Sequence, residues 1–354
     1  MFSLLLHQFN NSHLPVFFCL PREYFPTPAW IDAWERGEVL PLEEKGMEAT
    51  GQAWIYQTWA LLIRAAVPCS LLEGLPQLPP EGGIIIAMSG SFPSIMALLE
   101  EKRKQQSKPR SWVHRFFLVD IVADGLPHPV ARLHVVQNRA HAQRLSHALF
   151  MPHWPQPNLI PRDEHRGNRF EKVAFFGDIK NLAPELRSKQ WQESLKKKLG
   201  ITLELPSAAA WHDYHDIDGV IAVRDFSPAA YLQKPATKLY NAWHAGVPFI
   251  GGNDSAYRAD GTPNENYLVA NSAAEVFEYL RRLKEEESFR RALVEKGFQQ
   301  GAAYTQEATL QRWKKLIQET LPALARQWQR KLAWEHAYFL NMQKLHCFWD
   351  RLLR

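Results

Sequence analysis

The chain has 354 residues, 46% of them hydrophobic and 22% charged, a balance that excludes an intrinsically disordered polypeptide. Its formal charge of +5 and pI near 9.0 suit contact with nucleotide diphosphates or an anionic membrane face, and are too modest to argue for nucleic acid. Three cysteines (Cys19, Cys69 and Cys347) are odd in number and far apart, so they point to a reducing compartment without a disulfide framework or a metal-site spacing.

The length has room for two ordinary α/β domains. Residues Met1 to Asn10 carry no basic n-region and too short an apolar run for a signal peptide. No segment approaches the roughly 18–20 uninterrupted apolar residues that would span a bilayer, and the best candidate, Ala53 to Val67, is broken by Gln57 and Arg64. A cytoplasmic protein is expected, peripheral at the inner membrane face if it touches a membrane at all.

In chain order, Val16 to Leu20 is a strand candidate, followed by a proline-rich loop, Pro21 to Pro28. A helix around Gln52 to Ala66 leads to a strand at Cys69 to Leu72. Gly83 to Met88 is the clearest strand, ending in Ser89-Gly90-Ser91 and a helix toward Glu101. Arg115 to Val122 and Arg132 to Gln137 are two more apolar strands. Continuous rather than alternating apolar runs, separated by helices, predict a parallel sheet covered on both faces.

Between 151 and 170 the texture changes: four prolines, little periodicity, then the charged stretch Asp163 to Arg169. This reads as an interdomain linker. The second half restarts with a strand, Lys172 to Phe176, then Gly177 and a helix from Leu182 to Leu199. Further strands are predicted at Ile201–Leu205, Gly219–Val223, Val247–Ile250 and Tyr267–Val269, and helices at Ala273–Leu283, Glu286–Gln300 and Thr305–Ile317. From Leu321 to Leu353 the pattern is nearly all helical.

The most informative stretch is 234–252, read as a short helix, a hard stop and a buried strand ending in paired glycines. Pro235 suits a first helical turn, Gly246 suits the position just past a helix end, and Leu239, Ala242 and Trp243 share an inward face. Lys234, Lys238 and Asn241 share another face, beside a positively polarised helix start, which is a seat for a diphosphate and a ribose. The string Lys-Leu-Tyr-Asn-Ala…Ala-Gly-Val-Pro resembles the donor-binding segment of GT-B glycosyltransferases. In retaining family 4 enzymes the equivalent helix carries two glutamates eight positions apart; here Gln233 and Asn241 hold those places. The stretch is more similar to the Thr-Glu-Lys-Leu-x-Asn-Ala…Gly…Val-Pro motif of family 10 fucosyltransferases, with Thr237 where that motif has its Glu.

The resemblance implies an α/β protein of two Rossmann-like parallel-sheet domains facing each other across a cleft, with C-terminal helices crossing back to the first. On that scheme 1–155 is an acceptor domain, 156–170 the hinge, 171–318 a nucleotide-sugar domain, and 319–354 the helical return. Ligands of open α/β sheets collect beyond the C-terminal ends of strands, which selects Gly177, Lys180, Arg224 and Asp225 without help from any family. With Lys234, Thr237, Lys238 and Asn241 these residues form the expected donor site, where Arg224 and Lys238 stabilise the departing diphosphate. Their structural alternative is solvated surface charge.

A base for an inverting reaction is expected from the first domain, among Asp120, Asp124, Asn138 and His141, with Asp124 at a strand end the better placed. Asp120, inside an apolar run, reads equally as a satisfied buried carboxylate. Ser89 and Ser91 are candidates for acceptor hydroxyls, or simply a βα turn with a serine cap. His153, Trp154 and Gln156 line the cleft or pack across the hinge. Asp216-Ile217-Asp218 precedes its strand and reads as a loop feature rather than a metal motif, as does His212 to Asp216. The expected activity is transfer of a sugar from a nucleotide-sugar donor to a glycan or lipid-linked acceptor, without metal or other cofactor. Two alternatives keep the fold: a nucleotide-sugar epimerase, and a non-catalytic sugar-nucleotide sensor or scaffold.

Overall fold

The strands form where apolar residues run without interruption. Gly83–Met88 (β3) and Phe116–Ile121 (β4) pair in parallel over six residues, from Gly83 opposite Phe116 to Met88 opposite Ile121. Both are buried almost throughout, as a sheet covered on two faces requires. The computed structural model describes residues 14–20, 52–73, 82–104 and 113–352. The loop expected at Pro21 to Pro28 and the segment Met1 to Asn10 lie outside them, as does Leu353.

The described residues divide into two compact units. One holds the residues up to Gln137, His141–Met151 and those from Thr309 onward; the other holds Asn138–Ala140 and Pro152–Ala308. The first is built on β1 (Val16–Leu20), β2 (Ser70–Glu73), β3, β4, β5 (Leu133–Val136) and β6 (Ala148–Phe150), in the order β2-β1-β3-β4-β5-β6. The second uses β7 (Lys172–Ala174), β8 (Thr202–Glu204), β9 (Gly219–Ala222), β10 (Phe249–Gly251) and β11 (Leu268–Val269), in the order β11-β10-β9-β7-β8. Every strand pair in both sheets is parallel. Both orders follow one plan: the first strand of each unit lies between the second and the third. The chain therefore reverses direction across the sheet beside that first strand, which is where open α/β sheets collect ligands.

The two-sheet α/β architecture implied by the resemblance is present, and so is the helical return. Trp313 packs its ring 6.1 Å from Phe18 of β1 and 6.4 Å from Trp54. In the helix Ala333–Leu352, Asp350 Oδ1 lies 2.8 Å from His141 Nε2, both groups buried. The guanidinium of Arg132 stacks 4.1 Å over Trp328 of the helix Leu321–Arg330.

Several elements differ from the sequence reading. The helix expected over Leu182 to Leu199 is two, Pro184–Arg187 and Lys189–Leu199. Ser188 separates them: its hydroxyl donates to Glu185 O (2.8 Å) and accepts from Trp191 N (3.2 Å), ending one helix and capping the next. The helix expected to begin around Pro235 begins at Thr237, and Ala236 is its N-cap. Gly246 ends it as expected at φ 71°, with Gly246 N bonded to Trp243 O and Val247 N to Ala242 O, a paired closure that satisfies the last carbonyls. The C-terminal helical stretch breaks between Arg330 and Ala333. β6 and the short helices Arg139–Arg144 and Ser255–Asp260 were not foreseen.

Candidate functional site

In the second unit the direction of the chain reverses between β7 and β9, and the residues after these strands converge. Gly177 follows β7, Arg224 and Asp225 follow β9, and Asp254 follows β10. Arg224 Nε donates to Asp254 Oδ2 at 2.9 Å, and its guanidinium lies 5.8 Å from the ring of Tyr231. Asp254 is buried, and burial pushes its carboxyl above the ordinary value, although Arg224 and Lys238 stand close enough to oppose the shift. Asp225 accepts from Ser227 N (2.9 Å), Ser227 Oγ (2.6 Å) and the Tyr231 phenol. Burial works to raise this carboxyl, but those donors outweigh it and hold Asp225 below its usual value.

Lys238 lies in the first turn of the helix Thr237–Ala245, with its ammonium 5.6 Å from the Phe175 ring. A Cβ on Gly177 would stand 3.2 Å from Lys238 Cε and 3.1 Å from the Phe175 ring, so this glycine makes room for the lysine stem. No side chain caps the start of this helix, and Thr237 Oγ1 is buried with no hydrogen-bond partner among the described residues. An uncapped helix start, an unpartnered hydroxyl and two cations together favour an anion. Neither Asp254 nor Tyr231 was picked out by the sequence; both acquire meaning only through Arg224.

The other expected donor residues stand elsewhere. Lys180 is 76% exposed and pairs with Asp178 at 2.7 Å on the surface. Asn241 does not share an open face with Lys238: it is buried, and its Oδ1 accepts from Gln156 N at 3.1 Å. Lys234 precedes the helix, in a turn where Lys234 N bonds to Tyr231 O at 2.8 Å. That turn is held by Asn138, fully buried, whose amide donates to Ser255 Oγ (2.9 Å) and Lys234 O (3.2 Å). Asn138, expected on the acceptor side, thus supports the loop beside the candidate donor site.

In the first unit, Asp124 is exposed just past β4 and accepts from Gln137 Nε2 at 2.8 Å. Ser89 donates to Asp120 Oδ1 at 2.6 Å, and Ser91 is buried at the start of the helix Phe92–Lys104. Asp120 is the satisfied buried carboxylate: its Oδ2 also accepts from His128 N (2.7 Å) and meets His134 Nδ1 (3.1 Å). His134 is the residue paired with it across β4 and β5. His141, expected near an acceptor, is instead buried against Asp350.

Asp218 ends the loop before β9. It is fully buried and receives Arg166 Nε (2.9 Å) and Nη2 (2.7 Å), Arg162 Nε (3.0 Å), Glu171 N (2.8 Å) and Lys172 N (3.0 Å). Asp216 is 58% exposed and pairs with Lys172 at 3.4 Å. Asp216 also faces Arg166 Nη1 at 3.5 Å, so the two aspartates share that arginine, one from the surface and one from the interior. A cavity of about 650 Å³ opens at this end of the sheet, lined by Arg162, Phe170, Gly246, Pro248, Arg290 and Phe298 among others. Arg162 is committed to Asp218 and Arg290 to the carbonyls of Leu283 and Asn168, so these cations brace the fold.

No family model and no curated protein matches the chain. Among solved structures it is similar to TarM, at 11% identity over 66% of this chain and 54% of that one, with a TM-score of 0.45. It is also similar to Anabaena Alr3699/HepE in complex with UDP and glucose, at 11% identity over 87% and 99% of the two chains (TM-score 0.49). A third is sucrose-phosphate synthase from Thermosynechococcus elongatus, at 14% identity over 80% and 82% (TM-score 0.46). The chain spans about half the length of TarM.

Proposed function

We propose that this chain is a GT-B glycosyltransferase that moves a sugar from a nucleotide-sugar donor to a glycan or lipid-linked acceptor. The observation that carries the reading is the meeting of Arg224 and Lys238 about the buried Asp254, beside the reversal point of the second sheet. Departure of a nucleoside diphosphate leaves positive charge on the sugar and negative charge on the leaving group. Cations held in place beforehand stabilise that change without reorganising as it develops. Arg224 is held by Asp254, and Lys238 is steered by Gly177 and Phe175. In this scheme the diphosphate takes the first turn of the helix Thr237–Ala245, where the amides and Thr237 Oγ1 donate to it. The two side-chain cations do the work a metal would do, so no metal is required. Asp124, exposed past β4, is the proposed base on the acceptor side.

A thermal-shift screen against UDP-, GDP-, ADP-, CMP- and dTDP-sugars tests the reading without knowledge of the acceptor. A ligand that binds only the folded state stabilises it by mass action, by about 2.7 kcal/mol at a hundred times its Kd. One base should raise the unfolding temperature, and Lys238→Ala should weaken that ligand by tenfold or more, the scale of one charged hydrogen bond. Unchanged affinity in Lys238→Ala refutes this placement of the diphosphate.

A further inference from the structure

The helix Ala333–Leu352 turns its sides the wrong way round for a soluble protein. The face against its own unit carries His336, Gln343, Cys347 and Asp350, all buried. The outward face carries Trp334, Tyr338, Leu345, Phe348, Trp349 and Leu352, exposed from 46% at Leu345 to 67% at Trp334. Their steps of four, seven and three residues, with the adjacent Phe348 and Trp349 on its two sides, align them in one stripe along the helix. Six large apolar side chains in a row, five turns long, are far more than the scattered exposure ordinary on a protein surface.

Charge indicates what covers the stripe. From Arg326 to Leu352 the exposed basic residues are Arg326, Arg330, Lys331, Lys344 and Arg351. Lys344 and Arg351 each stand one position before a leucine of the stripe and so border it along one side. Against them there are two carboxylates: Asp350, buried on His141, and Glu335, which faces Lys331 at 3.8 Å. Tryptophan and tyrosine prefer the headgroup level of a bilayer, and a basic rim beside an apolar face favours anionic lipid. No helix among the described residues is long and apolar enough to cross a membrane, and with its apolar residues on one side only this helix suits lying in the interface.

We propose that the outward face of Ala333–Leu352 is a docking surface for an anionic lipid bilayer. The proposal rests on this helix alone and not on sugar transfer, so its failure leaves the donor site untouched. The test is co-sedimentation of the full chain with vesicles of phosphatidylcholine, with and without about 30% phosphatidylserine, in low and high salt. The chain should bind the anionic vesicles, more weakly at high salt, and leave the neutral ones largely unbound. Trp334→Ser/Phe348→Ser/Trp349→Ser should lower partitioning by tenfold or more, with its unfolding temperature kept. Lys344→Glu/Arg351→Glu should remove the preference for phosphatidylserine. It decides the matter if the first variant fails to fold. Absence of binding by the native chain, or native binding by the charge-reversed variant, overturns the proposal. So does a native dimer that the triple substitution turns into a monomer without any vesicle binding, because a second copy would then own the face.

Discussion

Replacing Asp218 should cost several times more stability than replacing Asp216, two positions away. Asp218 collects five donors, two of them from Arg166, whose side chain is only 9% exposed. Removing one partner of a buried ion pair costs roughly 3–5 kcal/mol, because the other charge stays behind unpaired. Asp218→Ala also strands the amides of Glu171 and Lys172, which the carboxylate ties to the start of β7. We expect a loss of about 4 kcal/mol, and for Asp216→Ala at most about 1 kcal/mol, since an exposed pair is screened by solvent. Urea unfolding gives the totals, and hydrogen exchange at the amides of β7 and β9 locates the loss. The sign with pH is fixed as well. Burial tends to raise the Asp218 carboxyl, but Arg166 and the two amides outweigh it and leave it below the ordinary value. Its stabilisation is thus complete above the unfolded pKa of about 4 and fades as pH falls through the lower folded value. Asp218→Asn should lack that acid-dependent loss. Equal small costs at both positions, with activity restored by a divalent cation, would refute the structural role and restore the metal reading of Asp-x-Asp.

Three further outcomes follow from burial. Asp350→Ala leaves His141 Nε2 without its 2.8 Å partner, and should destabilise the C-terminal helix by about 1–3 kcal/mol, read as faster hydrogen exchange there. Burial pushes the thiols of Cys19 and Cys69 up to about 12, so at pH 8 only about one in ten thousand is thiolate. Iodoacetamide should label both only on unfolding, and rapid native labelling would contradict the packing. Gly297→Ala would drive a Cβ into the Trp243 ring at Cδ1. The gain in helix propensity, about 1 kcal/mol, offsets part of an overpacking cost of about 1–3 kcal/mol. A net destabilisation of up to about 2 kcal/mol is expected in thermal unfolding, with weaker nucleotide-sugar binding as the helix Thr237–Ala245 shifts.

The long elements were legible because their signals are local. β3 and β4 are unbroken apolar runs, and Gly246 marks its helix end by a backbone conformation that few other residues adopt. β6, three residues long, and the six-residue helix Ser255–Asp260 are too short to show a period, so packing alone decides them. The candidate site fell between these cases. Counting Lys234, Lys238 and Asn241 as one face assumed a helix already running at Lys234. The helix begins at Thr237, and the restriction that Pro235 places on the residue before it keeps Lys234 outside. Asn241 does lie within the helix, but the chain uses its polarity inward, to hold Gln156.

What replaced that face is a set of pairs no window along the sequence can show. Arg224 reaches Asp254 thirty positions on, and Asn138 reaches Ser255 across 117. Ser255 opens the short helix that follows β10, and Asp254 directly precedes it. One segment, just past the paired glycines Gly251 and Gly252, therefore positions both the arginine beneath the proposed diphosphate and the asparagine that braces the turn before Lys238. This makes 253–255 the keystone of the candidate site, although neither Asp254 nor Ser255 need touch the donor. Asp254→Asn should accordingly weaken nucleotide-sugar binding by loosening the hold on Arg224, with less effect on Lys238. A double-mutant cycle with Arg224→Ala measures this. If the two effects simply add, Asp254 does not act through Arg224, and the donor site is not organised as argued.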